Sequence, residues 1–371
     1  NIIKEDYMEK ILIVIGDAGA GHMSCANATK NAIKKLNSSI KVDIVDIFQF
    51  SKMSRLYNFV QYLVSGSKFI EFLFNTSFTF INKSNIFSEL AYFFALKSIT
   101  KPTLRYLKKY KPDLVISNNA LTTEILSRCK KEFSFKYVIT VPDLVTMVRW
   151  WASPEADLIF SPTKKATEEL LSFNPNCNIL TGYYPLRDIK EFSEEEIDDF
   201  RKIFCNEHDF EFERDIILIT GCGVSTAGLV RRLKSFILNT NYQLIILTGK
   251  DTKLKRRLEK RFLNNRRVYI SGYTNEILKL FVISDLIISK TGPATVLEIE
   301  KVNKKAIFTE PPVIQEFGNV EYIKDNPNFS YIGSNYEELP ELVERMLVKG
   351  TIKYQSEIKD ANSIANIILK L

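Results

Sequence analysis

Two clusters of residues have the types and spacing that chemistry needs. The first is Gly16-Asp17-Ala18-Gly19-Ala20-Gly21-His22, directly after the apolar run Ile11–Ile15. A neutral imidazole can take a proton from a hydroxyl nucleophile. A helix beginning at His22 sets its positive dipole end beside the ring, which lowers the ring's pKa and keeps it neutral. The second cluster is Lys290-Thr291-Gly292-Pro293-Ala294-Thr295, with Glu298 about one turn further on, after the apolar run Leu286–Ser289. Glycine permits a tight turn and close backbone approach, and proline suits the first helical position. The N–H groups at such a helix end favour phosphate. Glu298 can accept both hydroxyls of a ribose, so the second cluster reads as a nucleoside-diphosphate site.

Other segments carry weaker signals. Gly221-Cys222-Gly223-Val224-Ser225 follows a strand pattern, and its small residues either let amides approach an anion or simply make a tight turn. Cys222 has no histidine near it in sequence and reads as a small buried thiol. Gly272 and Tyr273 end another strand, where backbone can hold a flat base. Gln315, Glu316 and Asn319 either fix a sugar by its hydroxyls or belong to a surface loop. Asp143, in Thr140-Val141-Pro142-Asp143 ahead of Trp150-Trp151, has three open readings: orienting a base, binding an acceptor hydroxyl, or capping a helix. His208, the other histidine, reads as a solvated surface residue.

The elements that must position these residues alternate between strand and helix. Strands are predicted at Ile11–Ile15, Val42–Val45, Leu114–Ser117, Tyr137–Thr140 and Leu158–Phe160, with helices at His22–Leu36, Thr122–Arg128 and Thr163–Leu171. The charged stretch Arg187–Arg214 reads as a link. The pattern restarts with strands at Ile216–Thr220, Leu244–Leu247, Val268–Ile270, Leu286–Ser289 and Ala306–Phe308. Such alternation means helix-covered parallel sheets with ligands beyond the carboxyl ends of the strands. The expectation is an α/β protein of two Rossmann-like, doubly wound domains facing a central cleft, residues 1–186 and 187–354. The last helix, 355–371, would pack back on the first domain.

The 371 residues suffice for two domains, and 45% hydrophobic content fits packed cores. A net charge of +7 is moderate and dispersed, and no nucleic-acid motif accompanies it. Five cysteines without CxxC spacing read as reduced thiols of a cytosolic protein. No apolar run reaches the roughly 18 residues of a membrane span. Tyr57 to Phe94 nevertheless holds twelve aromatic residues, followed by Lys97, Lys101, Arg105, Lys108, Lys109 and Lys111. This insertion, residues 56–111, either lies partly in a membrane interface or buries its rings in the first domain. On the first reading Phe72, Phe74, Phe78, Phe80 and Trp150 face an anionic membrane surface.

Taken in order, these segments resemble the glycosyltransferases of the monogalactosyldiacylglycerol synthase and processive diacylglycerol glucosyltransferase group. That family 28-like group is related to the N-acetylglucosaminyltransferase of peptidoglycan synthesis. Gly19-Ala20-Gly21-His22, with Ala26 and Ala28, resembles its N-terminal histidine loop. Thr140 to Trp151 resembles its Thr-Asp segment followed by Trp. Gly182 and Pro185 resemble the close of its first domain. Ser284-Asp285, Lys290–Thr295 and Glu298 resemble its donor signature, and Gln315-Glu316 with Gly318-Asn319 its closing motif. Thr291 stands where the group usually has Ala, and Ala294 where it has Gly.

The resemblance implies a GT-B fold and inverting transfer of a hexose from a UDP-sugar to a membrane lipid, foremost diacylglycerol, giving a β-glycoside. It implies that His22 acts as general base or touches the donor phosphate, with Asp143 assisting. Donor contacts would come from Gly21, Gly221, Gly223, Ser225, Gly272, Tyr273, Lys290 to Thr295, Glu298, Gln315, Glu316 and Asn319. No cofactor or metal is implied beyond the UDP-sugar, and the location would be peripheral, on the cytoplasmic face. Transfer of N-acetylglucosamine to a lipid-linked cell-wall precursor, UDP-sugar epimerisation and a non-catalytic relative remain alternatives. A dehydrogenase is disfavoured, because the first loop lacks the GxGxxG spacing.

Overall fold

The computed structural model describes residues 8–16, 19–50, 76, 79–221, 226–309, 316–354 and 356–371. Phe72, Phe74, Phe78, Gly223, Ser225 and Gln315 lie outside the described residues. The chain divides into two compact units. Unit 1 runs to Asp188 and includes Glu357–Leu371, while unit 2 begins at Ile189 and ends at Ser356.

Unit 1 is built on β1 (Lys10–Ile15), α1 (Gly19–Leu36), β2 (Lys41–Asp46), α2 (Asn85–Ala91) and α3 (Lys97–Tyr110). A π-helical turn, Tyr92–Leu96, joins α2 to α3. Then follow β3 (Leu114–Ser117), α4 (Ala120–Lys130), β4 (Lys136–Thr140), β5 (Leu158–Ser161) and β6 (Ile179–Thr181). Its strands pair in parallel in the order β2-β1-β3-β4-β5-β6. Strands buried on both faces read as continuous apolar runs, which is why Ile11–Ile15 and Leu114–Ser117 stand out in the sequence. The short β6 is half-exposed and carries no such run.

Leu12, Val14, Val115 and Ile139 pack on one face of this sheet with Ile99, Leu107 and Trp151. Ile11, Ile13 and Ile116 pack on the other with Ile33 and with Ile364 and Ile368 of the closing helix Ala361–Ile368. Burying each such side chain contributes about 1.5–3 kcal/mol. The end of the chain is also stitched to the turn at Gly182, whose φ of 88° suits glycine, by Lys359 N–H to the Gly182 carbonyl at 2.8 Å.

Unit 2 begins with α5 (Glu194–His208), followed by β7 (Ile216–Thr220), β8 (Gln243–Leu247), β9 (Val268–Ser271) and β10 (Leu286–Lys290). After these come α6 (Pro293–Lys301), β11 (Ala306–Thr309), α7 (Asn319–Lys324) and β12 (Phe329–Gly333). The sheet is again parallel, in the order β12-β11-β10-β7-β8-β9. Two doubly wound α/β sheets are thus the observed fold class.

Two expectations change here, and Asp285 gains a structural role. The stretch expected to be a charged link contains α5, started by a Ser193–Glu196 capping box and belonging to unit 2. His208 is not simply a solvated residue. Its ring stacks on Tyr269 at 3.9 Å and meets the edge of Phe204 at 4.5 Å, and partial burial lowers its pKa. Asp285 sits at the amino end of β10, away from the carboxyl edge where ligands bind. Its carboxylate accepts from Arg201 Nη1 at 2.9 Å and from Ile216 N–H at 2.8 Å. Arg201 also donates to the carbonyls of Phe212, Ile283 and Arg214. Asp285 therefore anchors α5 to the sheet. Asp285→Ala should cost about 2–3 kcal/mol, since it strands a largely buried guanidinium. Chemical denaturation with an unchanged midpoint would remove this role.

Candidate functional site

In an open parallel sheet, ligands bind where strand order reverses, beyond the carboxyl ends of the two strands at that point. In unit 1 that point lies between β1 and β3, because β2 falls on one side of β1 and β3 to β6 on the other. His22 follows β1 and Asn118 follows β3, so both belong to this edge. Helix α1 begins at Gly19, three residues before the expected start, which places His22 in its first turn. His22 is half-buried, and its Nδ1 lies 2.7 Å from the main-chain oxygen of Asn118. A carbonyl only accepts, so Nδ1 carries the proton and Nε2 holds the lone pair of the neutral ring. Burial lowers the His22 pKa, while the Asn118 bond opposes the shift. The geometry therefore favours a neutral imidazole. Gly21 is exposed, and an added Cβ there would meet nothing within 4 Å.

Asp143 lies just beyond β4. Its Oδ2 accepts the indole N–H of Trp151 at 3.0 Å. His22 Nδ1 is thus held by the Asn118 carbonyl, while Asp143 Oδ2 holds the Trp151 indole. Trp150 departs from its expectation. It is only 4% exposed and donates to Ser88 Oγ of α2 at 2.7 Å, so it packs inside unit 1 instead of facing a membrane. Arg149 makes a second tie, donating to the Asn82 carbonyl at 2.8 Å and to Asn85 Oδ1 at 2.9 Å. Outward-facing apolar groups lie instead along 80–94. Ile86 is 72% and Phe94 78% exposed, and Phe80, Phe87, Leu90 and Phe93 are exposed as well. Lys83 and Lys97 lie over the Phe80 and Phe93 rings, at 5.2 and 4.2 Å. Among the described residues no helix is long and apolar enough to cross a membrane.

In unit 2 the order reverses between β7 and β10. Gly221 follows β7, and Lys290 to Gly292 close β10, so these segments share the reversal point. A Cβ on Gly221 would stand 2.4 Å from Thr226 Cα, so only glycine fits this turn. The terminus of α6 has Gly292 as N-cap and Pro293 in its first turn, and no side chain caps it. Such a terminus presents amides and a positive dipole end to an anion. Thr291, Gly292, Thr295 and Glu298 are buried, whereas Pro293 and Ala294 are partly open.

The polar groups around this terminus are already engaged. Lys290 Nζ donates to Glu316 Oε1 at 2.8 Å, and Thr291 Oγ1 to Glu316 Oε2 at 3.5 Å. Asn319 opens α7 and is buried, and its amide donates to the Thr291 carbonyl at 2.8 Å. Asn319 and Glu316 thus brace the Lys290–Gly292 turn, a role that their sequence positions alone do not reveal. Gly272 and Tyr273 lie beyond β9, at the far edge of the sheet, with Tyr273 exposed and Lys250 Nζ 5.7 Å from its ring centre. Among the described residues no cluster of His, Cys, Asp and Glu could hold a metal ion. Sequence reasoning misses Asn118; its only signal is a pair of asparagines after a strand, of which Asn119 caps α4.

Two family descriptions match the chain. Residues 22–182 match "Monogalactosyldiacylglycerol (MGDG) synthase", and residues 219–355 match "Glycosyltransferase family 28 C-terminal domain". The processive diacylglycerol beta-glucosyltransferase of Staphylococcus carnosus is 23% identical over 344 residues, covering 91% of this chain and 84% of that protein. The chloroplastic monogalactosyldiacylglycerol synthase of Spinacia oleracea is 25% identical over 358 residues, covering 91% and 66%. Among solved structures, Acinetobacter baumannii MurG superposes with a TM-score of 0.60 at 13% identity, covering 98% of this chain and 100% of the other. Anabaena HepE in complex with UDP-glucose superposes with a TM-score of 0.55 at 12% identity, covering 96% and 94%. At these identities the structural likeness speaks for the fold, which is GT-B.

Proposed function

Because the chain belongs to the glycosyltransferases of the MGDG synthase and diacylglycerol glucosyltransferase group, we propose that it transfers a hexose from a UDP-sugar to diacylglycerol with inversion. One observation carries this reading: each sheet sets its candidate groups at its own strand-order reversal. Unit 1 sets a histidine with an available Nε2 there, and unit 2 an uncapped helix terminus suited to a diphosphate. In the reaction, the acceptor hydroxyl oxygen bonds to the anomeric carbon as the bond from that carbon to UDP breaks. The hydroxyl proton passes to His22 Nε2, and the electron pair leaves on the β-phosphate. The amides of the α6 terminus stabilise that charge, so the step requires no bound metal. One displacement inverts the α-linked donor to a β-glycoside. Asp143 belongs to the acceptor side, and Glu298 receives the ribose hydroxyls.

The exposed apolar residues of α2 and the π-helical turn, with Lys83, Lys97 and Lys101 near them in sequence, suit a peripheral attachment to an anionic leaflet. That attachment would lie on the cytoplasmic face and bring the enzyme to its lipid.

The test is incubation with UDP-glucose, UDP-galactose or UDP-N-acetylglucosamine and diacylglycerol vesicles, with products identified by mass and anomeric configuration by NMR. A β-hexosyl diacylglycerol is expected. An α-linked product rejects the inverting step, and a donor epimer formed without lipid points to epimerisation instead. Glu298→Ala should raise the KM for the UDP-sugar about tenfold or more, the loss of a charged hydrogen-bond acceptor. An unchanged KM would take Glu298 out of the ribose site.

A further inference from the structure

We propose that Asn118 is a positioning residue for His22, holding the ring as the Nδ1–H tautomer with Nε2 unprotonated. The inference rests on the reading of His22 as the base, and its geometry is reciprocal. The Asn118 carbonyl receives the His22 ring at 2.7 Å, and the Asn118 side-chain amide donates to the His22 main-chain carbonyl at 3.0 Å. Both partners on the receiving side are carbonyls, so the proton positions follow from chemistry. Nδ1 must carry hydrogen, and the amide nitrogen must face His22.

The segment that presents this carbonyl is itself pinned. Asn119 Oδ1 accepts the amides of Leu121 and Thr122, at 3.0 and 3.3 Å. The Asn119 carbonyl accepts from the hydroxyls of Thr122 and Thr123, at 2.9 and 3.0 Å. Asn118 is 1% exposed, so its clasp is shielded from competing water. The two bonds fix both the ring and the first turn of α1, which carries it. In water imidazole favours the Nε2–H tautomer, which has its lone pair on the wrong nitrogen. Holding the other tautomer in advance removes that penalty from the proton-transfer step. After the clasp is made, Asn118 Oδ1 remains buried and accepts no hydrogen bond among the described residues. A buried acceptor left unsatisfied costs stability, as suits a residue that serves the site more than the core.

The test is nitrogen NMR of the full chain labelled at histidine, near neutral pH, with His208→Gln used to assign the two rings. The wild-type His22 should show a protonated Nδ1 and an unprotonated Nε2. Asn118→Ala and Asn118→Leu keep the main-chain carbonyl but lose the side-chain bond that holds it on the ring, so the shifts should move toward the tautomer average. Their kcat should fall about 10–100-fold, the scale of a small misplacement of a reacting group, with the UDP-sugar KM within about twofold. A wild-type ring in the Nε2–H form overturns the proposal without any variant, even if both variants fold poorly. Variants that keep the wild-type shifts and kcat also overturn it. Full turnover in His22→Ala would instead defeat the base reading, while the tautomer spectrum still decides what Asn118 does to the ring.

Discussion

Replacing His22 by alanine is expected to lower kcat by about 10²–10⁴-fold, the usual contribution of a positioned general base. UDP-sugar binding should change little, because the phosphate-type turn and Glu298 are built from unit 2 alone. The pH dependence has a definite sign. The base must be neutral, and burial holds its pKa below the ordinary 6.5. Activity should therefore persist as pH falls toward 6.5 and decline only at lower pH, as Nε2 becomes protonated. The acid limb of kcat/KM, which reports the free enzyme, would locate that midpoint. A midpoint above 6.5 would contradict a half-buried ring whose pKa burial lowers. Near-wild-type turnover in His22→Ala would end its role as base. A rise in donor KM with unchanged kcat would make it a phosphate contact instead.

The double substitution Ile86→Asp/Phe94→Asp is expected to weaken binding to anionic vesicles by about 10²–10⁴-fold, since inserting each side chain into the acyl boundary contributes about 1.5–3 kcal/mol and two such contributions combine to that range. Each residue stands more than two-thirds exposed, so little native packing is lost and the fold should persist. Added salt should weaken the wild-type protein further, since Lys83 and Lys97 lie over neighbouring rings. Vesicle sedimentation measures both effects. A short-chain acceptor dispersed in solution should still be glycosylated by the variant, which separates lost attachment from lost chemistry. Wild-type sedimentation of the double variant would move the membrane contact elsewhere.

The strands are legible in the sequence because burial on both faces leaves uninterrupted apolar runs, as in Ile216–Thr220 and Leu286–Ser289. The phosphate-type turn is legible because Gly292 and Pro293 carry backbone instructions in their own covalent geometry. Sequence pattern misleads where a side chain's surroundings depend on distant neighbours. Trp150, in an aromatic-rich context, suggests a lipid-facing ring, yet Ser88 receives its indole and the core closes over it. Ser284-Asp285 falls within the stretch that resembles the donor signature, next to the residues read as donor contacts. In a parallel strand, however, five residues separate the amino end from the ligand-bearing carboxyl end, and Asp285 serves Arg201 at the former.

By itself the sequence determined that this is a two-sheet α/β protein with a histidine loop and a Gly-Pro helix start after a strand, because periodicity and turn chemistry are local properties. Only the tertiary structure decided which nitrogen of His22 is available, that Asn118 makes it so, and that Lys290 is held by Glu316 while Asn319 braces Thr291. Those contacts join residues 96, 26 and 28 positions apart. No local pattern encodes such partners; the order in which the strands pair brings each pair to the carboxyl edge of its own sheet.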